Sequence, residues 1–169
     1  MLYYAKKKLN NGEECIFRSP VGIRDASSLL SLSCQLLAET GYLEPMSDPE
    51  LCSETALLEL AAESANLLIL VAEKDGSFVG SACLMNAGNE KNAAGEIGIA
   101  VKKAEWGNGI GSHFLRILIR KAKAAGYPCL HLTVKQENDR AMQLYLRSGF
   151  TVTDVPSSAL QPIGMTLNL

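Results

Sequence analysis

The sequence predicts a mixed α/β domain built on one mostly antiparallel mixed sheet with helices on both faces. Three observations predict it. Strand-like apolar runs and helical periodicities follow one another without the strict β-α-β alternation of an all-parallel sheet. A glycine-rich turn, Gly107-Asn108-Gly109-Ile110-Gly111, stands where one such run ends and a long helix begins. The 169 residues suit one domain large enough to bury a core, and a hydrophobic share of 47% is ordinary for a globular chain. We therefore expect a single domain over residues 1–169, with residues 1–12 as an N-terminal arm.

Each element has its own signal. The arm ends in Asn10-Asn11-Gly12, and its Lys6-Lys7-Lys8 reads as a solvated tail, with an acidic partner as the alternative. Glu14–Arg18 reads as a first strand, stopped by Pro20. Asp25 suits the N-cap of a helix running to about Glu39, with Leu29, Leu32, Leu36 and Leu37 near one face and Gly41 as its end. After a loop over Tyr42–Ser47, Asp48-Pro49-Glu50 combines a capping Asp, a first-turn Pro and an acid, which predicts a helix through Leu51, Leu58 and Ala65. Leu67–Glu73 and Phe78–Met85 read as strands joined by the hairpin signal Asp75-Gly76. A polar loop over Asn86–Ala93 precedes the strand Gly95–Val101.

From Gly109 a helix runs to about Ala125, with Ile110, Phe114, Ile117, Leu118 and Ala122 on its apolar face and Gly126 as its stop. Cys129–Val134 is the next strand. Asn138 caps a short helix that Gly149 terminates. Phe150–Val155 and Gly164–Leu169 form the last pair of strands.

Composition narrows the function. The net charge of −2 argues against a dedicated nucleic-acid binder, which shows a basic patch or stripe. Five scattered cysteines without a C-x-x-C pair argue against a disulfide framework and against a metal site. The N-terminal basic residues follow the short apolar part, the reverse of a signal peptide. No run is long and apolar enough to span a membrane. A reducing cytoplasm is the expected setting, with no nucleic-acid or membrane partner.

The chemistry centres on the glycine turn. A helix that starts inside such a turn leaves its first N–H groups unpaired, and they combine with the positive end of the helix dipole to hold phosphate. Two phosphate motifs do not fit. A P-loop needs Gly-Lys-Ser/Thr, whereas here Gly111-Ser112-His113 follows. The dinucleotide fingerprint needs G-x-G-x-x-G and a later acid, whereas the spacing is G-x-G-x-G and no acid lies near Cys129. A corner that binds nothing remains the plain alternative, and a nucleotide-phosphate binder of another kind a further one.

The flanks add a resemblance. Glu96-Ile97-Gly98-Ile99, then Val101 and Trp106-Gly107-Asn108-Gly109-Ile110-Gly111, resemble the coenzyme-A-binding motif of the GNAT superfamily of N-acyltransferases. Downstream, Asn138, the small Ala141, Tyr145 and the closing Gly149-Phe150 resemble the same family's second signature, in the same order. The resemblance covers about residues 67–169 and departs at Trp106, where the family usually has Gln or Arg. It implies a GNAT-like sheet splayed between its fourth and fifth strands, 96–101 and 129–134. The pantetheine arm of acetyl-CoA then pairs with the free backbone of Ile99, Ala100 and Val101. The pyrophosphate sits on the turn Trp106, Gly107, Asn108, Gly109, Ile110, Gly111 and Ser112. Asn138, with Ala141, contacts the cofactor arm, and Tyr145 protonates the departing thiolate.

The implied reaction moves an acetyl group from acetyl-CoA to a primary amine of a small molecule or a peptide, directly within a ternary complex and without a metal. Strand alternation puts Glu96, Gly98 and Ala100 on one face, so Glu96 is the candidate base acting through water, with a structural acid as the alternative. His131 reads as a core histidine and His113 as a neighbour of the phosphates. Cys83 and Cys129 read as small core residues rather than nucleophiles. Arg140 reaches a cofactor phosphate or lies on a solvated helix face. The absence of a clear base and the presence of Trp106 leave an acyl-CoA-binding regulatory domain as the second class. A monomer and a homodimer are both compatible with the sequence.

Overall fold

The computed structural model describes residues 3–42, 67–86, 94–154, 158 and 161–169. Eight strands among them form one sheet, β1 (Tyr4–Lys8), β2 (Glu14–Arg18), β3 (Leu67–Lys74), β4 (Ser77–Asn86), β5 (Gly95–Val101), β6 (Cys129–Val134), β7 (Thr151–Asp154) and β8 (Ile163–Asn168), in the order β1-β2-β3-β4-β5-β6-β8-β7. Every neighbouring pair is antiparallel except β5 and β6. The helices are α1 (Gly22–Glu39), α2 (Ile110–Ala125) and α3 (Asp139–Arg147). The predicted Asp48–Ala65 helix and the Asn86–Ala93 loop fall almost wholly outside the described residues.

The sheet is covered on both faces, as alternation along β3 shows. Leu70 and Ala72 belong to the larger core, which takes in the α2 residues Phe114, Leu115 and Leu118, α3's Tyr145, and Phe150 just beyond. Val71, between them, belongs to a smaller core with α1's Leu29, Leu32 and Leu36. Leu37, expected on that face, is 37% exposed. Asp75 and Gly76 both take positive φ, +50° and +75°, as a two-residue turn between twisted strands requires.

Two local readings change. Residues 4–8 do not form a free arm: they pair with β2 from Tyr4↔Arg18 to Lys8↔Glu14, which moves the numbering of the splayed strands up by one. Their mostly exposed side chains lack the apolar alternation that marks a strand, because β1 is an edge. Asp25 is not the N-cap of α1, which is Val21. It lies inside the first turn and accepts from the Val21 N–H at 2.6 Å. It also receives a two-pronged bond from Arg18, at 2.5 and 3.0 Å. Arg18, itself part-exposed, in turn donates to Glu73 at 2.7 Å, so the buried Asp25 and its arginine tie α1 to β2 and β3.

Candidate active site

The site begins where the sheet comes apart. β5 and β6 pair only at Gly95↔Leu130 and Glu96↔His131. Beyond that point β5 stays laddered to β4 and β6 to β8, so the two half-sheets diverge. Gly95 lets the apex pack tightly: a Cβ there would stand 2.8 Å from Leu84 Cδ1 and 2.9 Å from Leu130 Cδ2, so those side chains would have to shift. The divergence opens a cavity of about 830 Å³. Its β5 wall runs from Ile97 through Ile99, Ala100 and Val101, and its β6 wall is Thr133-Val134-Lys135.

One end of the cavity is the glycine turn. A short 3-10 turn, Lys103–Glu105, leads β5 into Trp106. Gly107 and Gly109 both sit at φ +86°, a conformation that a side chain opposes, and Gly109 caps α2. The N–H groups of Gly107, Gly109, Ile110, Gly111 and Ser112 donate to no carbonyl among the described residues. They are the free donors of a helix start, and all five residues line the cavity. Asn108 does not line it; its side-chain amide donates to Glu105 at 3.0 Å.

Trp106 does not replace the polar side chain usual at its position, because its indole N–H donates to the Val101 carbonyl at 2.8 Å. That bond closes the corner between β5 and the turn. The Arg140 guanidinium lies 5.3 Å from the Trp106 ring centre, within cation–π range. It brings a positive charge from α3 to the cavity wall beside the turn.

The α3 signature is also in place. Asn138 caps α3 by accepting from the Ala141 N–H at 3.2 Å, and both residues line the cavity. Tyr145, 6% exposed, reaches the cavity from the same face of the helix, one turn beyond Ala141, its ring tilted against Phe150 at 5.7 Å. Burial, and then the nearby Cys83 thiol, push its phenol up to about 12, so it stays a neutral donor at pH 7. Burial likewise raises the Cys83 thiol, which keeps it protonated and a poor nucleophile.

Glu96 stands apart from these residues. It is exposed at the apex, opposite Met85 on β4 and His131 on β6, and does not line the cavity. Its strand face is the α1 side, since Ala100, four residues on, packs with the α1 core. His131, half-buried, shares a bond of 3.3 Å with Thr166. His113 lies behind the turn against Phe17, at 4.3 Å between ring centres, and does not line the cavity.

Of the lining residues that sequence reasoning did not place at the site, four come from the first third of the chain. Leu36, Thr40 and Tyr42 come from the end of α1 and the residues after it, and Asn10 from the β1–β2 turn. The Tyr42 hydroxyl crosses the cleft to the Glu137 carbonyl at 3.3 Å. None carries a local motif. Among the described residues, no group of three or more His, Cys, Asp or Glu is placed to hold a metal, and no helix is long and apolar enough to cross a membrane.

Known proteins match this arrangement. A mycothiol acetyltransferase of Jonesia denitrificans is 35% identical over 66 residues, a stretch that is 39% of this chain and 21% of that protein's length. A GNAT-family acetyltransferase of Streptococcus pneumoniae superposes with a TM-score of 0.78 at 24% identity, over 92% of this chain and 99% of its own. The yncA structure of Salmonella typhimurium, solved with its cofactor acetyl-CoA, superposes with a TM-score of 0.73 at 20% identity, over 90% and 92%. The sequence profile of the acetyltransferase (GNAT) family matches residues 35–150, more than half of the chain. This chain therefore belongs to the acetyltransferase (GNAT) family of acyltransferases.

Proposed function

We propose that the protein transfers the acetyl group of acetyl-CoA to a primary amine, directly between the two bound substrates. The observation that carries this reading is the cavity at the β5–β6 divergence, with five free N–H groups at one end and the buried Tyr145 hydroxyl along it. The donors, the helix dipole and Arg140 suit a pyrophosphate, and the long groove beside β5 suits a pantetheine arm.

Acetyl-CoA supplies an activated thioester. The β5 edge facing the gap, free of a ladder beyond Glu96, offers backbone N–H groups to the negative charge that grows on the carbonyl oxygen. The cavity holds thioester and amine together, which converts an encounter into an intramolecular step. The amine nitrogen forms a bond to the carbonyl carbon, the C–S bond breaks, and Tyr145 donates its proton to the sulfur. The apolar surroundings that hold the phenol neutral also raise the thiolate's basicity, so the transfer is matched within the pocket. Glu96, on the α1 side of the apex, takes the amine's proton through water. A protonated, buried Cys83 favours direct transfer over a route through an acyl-cysteine.

The acceptor enters from the α1 side, past Leu36, Thr40 and Tyr42. One sheet carries strands from residue 4 to residue 168, which supports one catalytic domain over 1–169. Cys15, Cys34, Cys83 and Cys129 are free thiols, in keeping with a reducing cytoplasm. The test is acetyl transfer from acetyl-CoA to a panel of amino acids, polyamines, aminoglycosides and peptide N-termini. The reading expects at least one acetylated amine with release of one coenzyme A thiol per product. Tight binding without turnover on any amine would instead make the chain an acyl-CoA-binding domain.

A further inference from the structure

The β1–β2 hairpin tip reaches the glycine turn, 97 residues away in sequence. The Asn10 side-chain amide donates to the Gly107 carbonyl at 2.9 Å, and the Asn10 backbone N–H donates to the Asn108 carbonyl at 3.1 Å. The contact is close: a Cβ on Gly109 would stand 3.3 Å from the Asn10 amide. The tip itself is well fixed. Leu9 is buried in the larger core and accepts from Gly12 across a four-residue turn at 3.0 Å. A chain of charges braces it from below: Lys74 joins Glu13 of the tip, at 2.9 Å, to Glu105. Glu105 in turn accepts from the Asn108 amide at 3.0 Å.

We propose that Asn10 is a positioning residue for cofactor binding: by holding the Gly107 and Asn108 carbonyls against the hairpin, it aims the turn's N–H groups at the phosphates. A trans peptide points its C=O and N–H in opposite directions, and no peptide bond here is cis. With the Asn108 carbonyl bound to the hairpin, the N–H of Gly109 points away from it. The peptide between Gly107 and Asn108 is held at both ends, since the Asn108 N–H also reaches the Glu105 carbonyl at 3.4 Å. Glycines at positive φ are free to turn these peptides over, so an external restraint has something to do. The turn is thereby ordered before the ligand arrives, which lowers the cost of binding.

This inference rests on the proposed use of coenzyme A, and the test separates the two. Coenzyme A is titrated calorimetrically into wild type, N10A, N10P and the control K6A. KM for acetyl-CoA, kcat and Tm are measured in parallel. Asn10 follows Leu9 in the four-residue turn, a position open to proline, but N10P removes both donors and also sets its ring against the Asn108 carbonyl, 3.1 Å from the Asn10 nitrogen, so it breaks the contact outright. Among the described residues Lys6 forms an ion pair with Glu14 alone, at 3.0 Å on the exposed side of the hairpin.

We expect N10A to bind coenzyme A roughly three- to tenfold more weakly, the worth of one neutral hydrogen bond. N10P should lose more, roughly tenfold or beyond. In N10A, KM for acetyl-CoA rises with Kd while kcat at saturation and Tm stay near wild type; N10P also loses some Tm because its ring displaces the Asn108 carbonyl, and K6A stays unchanged. Wild-type affinity in a folded N10P, or an equal fall in kcat and Tm in N10A, would overturn the role of Asn10. Wild type that binds no coenzyme A would instead sink the functional reading on which it rests.

Discussion

Of the proposed steps, proton donation by Tyr145 most needs its surroundings. Its helix brings the ring into the core beside Phe150, and that burial raises the phenol to about 12. A raised pKa means the hydroxyl stays protonated through the whole working range. Two outcomes follow. Tyr145→Phe should lower kcat by roughly a hundredfold or more, the lower range for general acid catalysis, with coenzyme A affinity kept. In wild type, kcat should rise with pH as the amine loses its proton, then stay level to at least about pH 10, the ordinary phenol value. A falling limb near pH 10 that disappears in Tyr145→Phe would show an unperturbed phenol and contradict the assignment. At the same scale, Trp106 was legible as the departure from the family's pattern. Its consequence was not: the indole N–H is used on Val101, and the charge comes from Arg140 on another helix.

Elements differ in how far their sequence announces them. The glycine turn, the Asn138 cap and the Asp75-Gly76 hairpin are local signals, and each appears where its residues place it. β1 and the role of Asp25 were not legible. A lysine-rich edge strand has no buried face to create a period, and an acid seven residues from Arg18 looks like any helix start. What decides both is pairing across the sheet. Asp25 is 6% exposed and holds Arg18, Glu73's partner, at the root of α1. Removing one member leaves the other charge short of partners in a partly dry site. Asp25→Ala should therefore lower the unfolding free energy by roughly 3 kcal/mol, read from urea denaturation. A change below about 0.5 kcal/mol would place this pair with surface ion pairs.

At the scale of the whole molecule, the cavity is assembled from segments that lie far apart in the chain. Asn10 meets Gly107 across 97 residues, and Tyr42 meets the Glu137 carbonyl across 95. Motif reading picked out the two continuous stretches that line much of the cavity, the glycine turn and the start of α3. It could not find the α1 wall or the hairpin brace, because nothing in those residues alone states what they will face. His113 joins the same distant parts, packing α2 against Phe17 of β2 with its Nε2 buried and without a hydrogen-bond partner among the described residues. Burial first, then Arg116, Lys7 and Arg120, hold its imidazole below the ordinary value of about 6.5. The unfolded chain then takes up a proton that the folded chain refuses, so stability is full above about pH 6.5 and is lost as the pH falls towards the lowered folded value. Urea midpoints measured from pH 7.5 down to 5.5 should fall, and His113→Gln should flatten that slope. An equal slope in both would assign it to other groups.

The central claim is that the turn Trp106–Ser112 holds the phosphates of coenzyme A, and thermal unfolding with excess acetyl-CoA, coenzyme A, ATP or NAD tests it most directly. A ligand at about a hundred times its Kd that binds only the folded state adds roughly 2.7 kcal/mol, a shift of several degrees. The account predicts that shift with acetyl-CoA and coenzyme A and none with ATP or NAD. No shift with either thioester or thiol, or an equal shift with ATP, would contradict it.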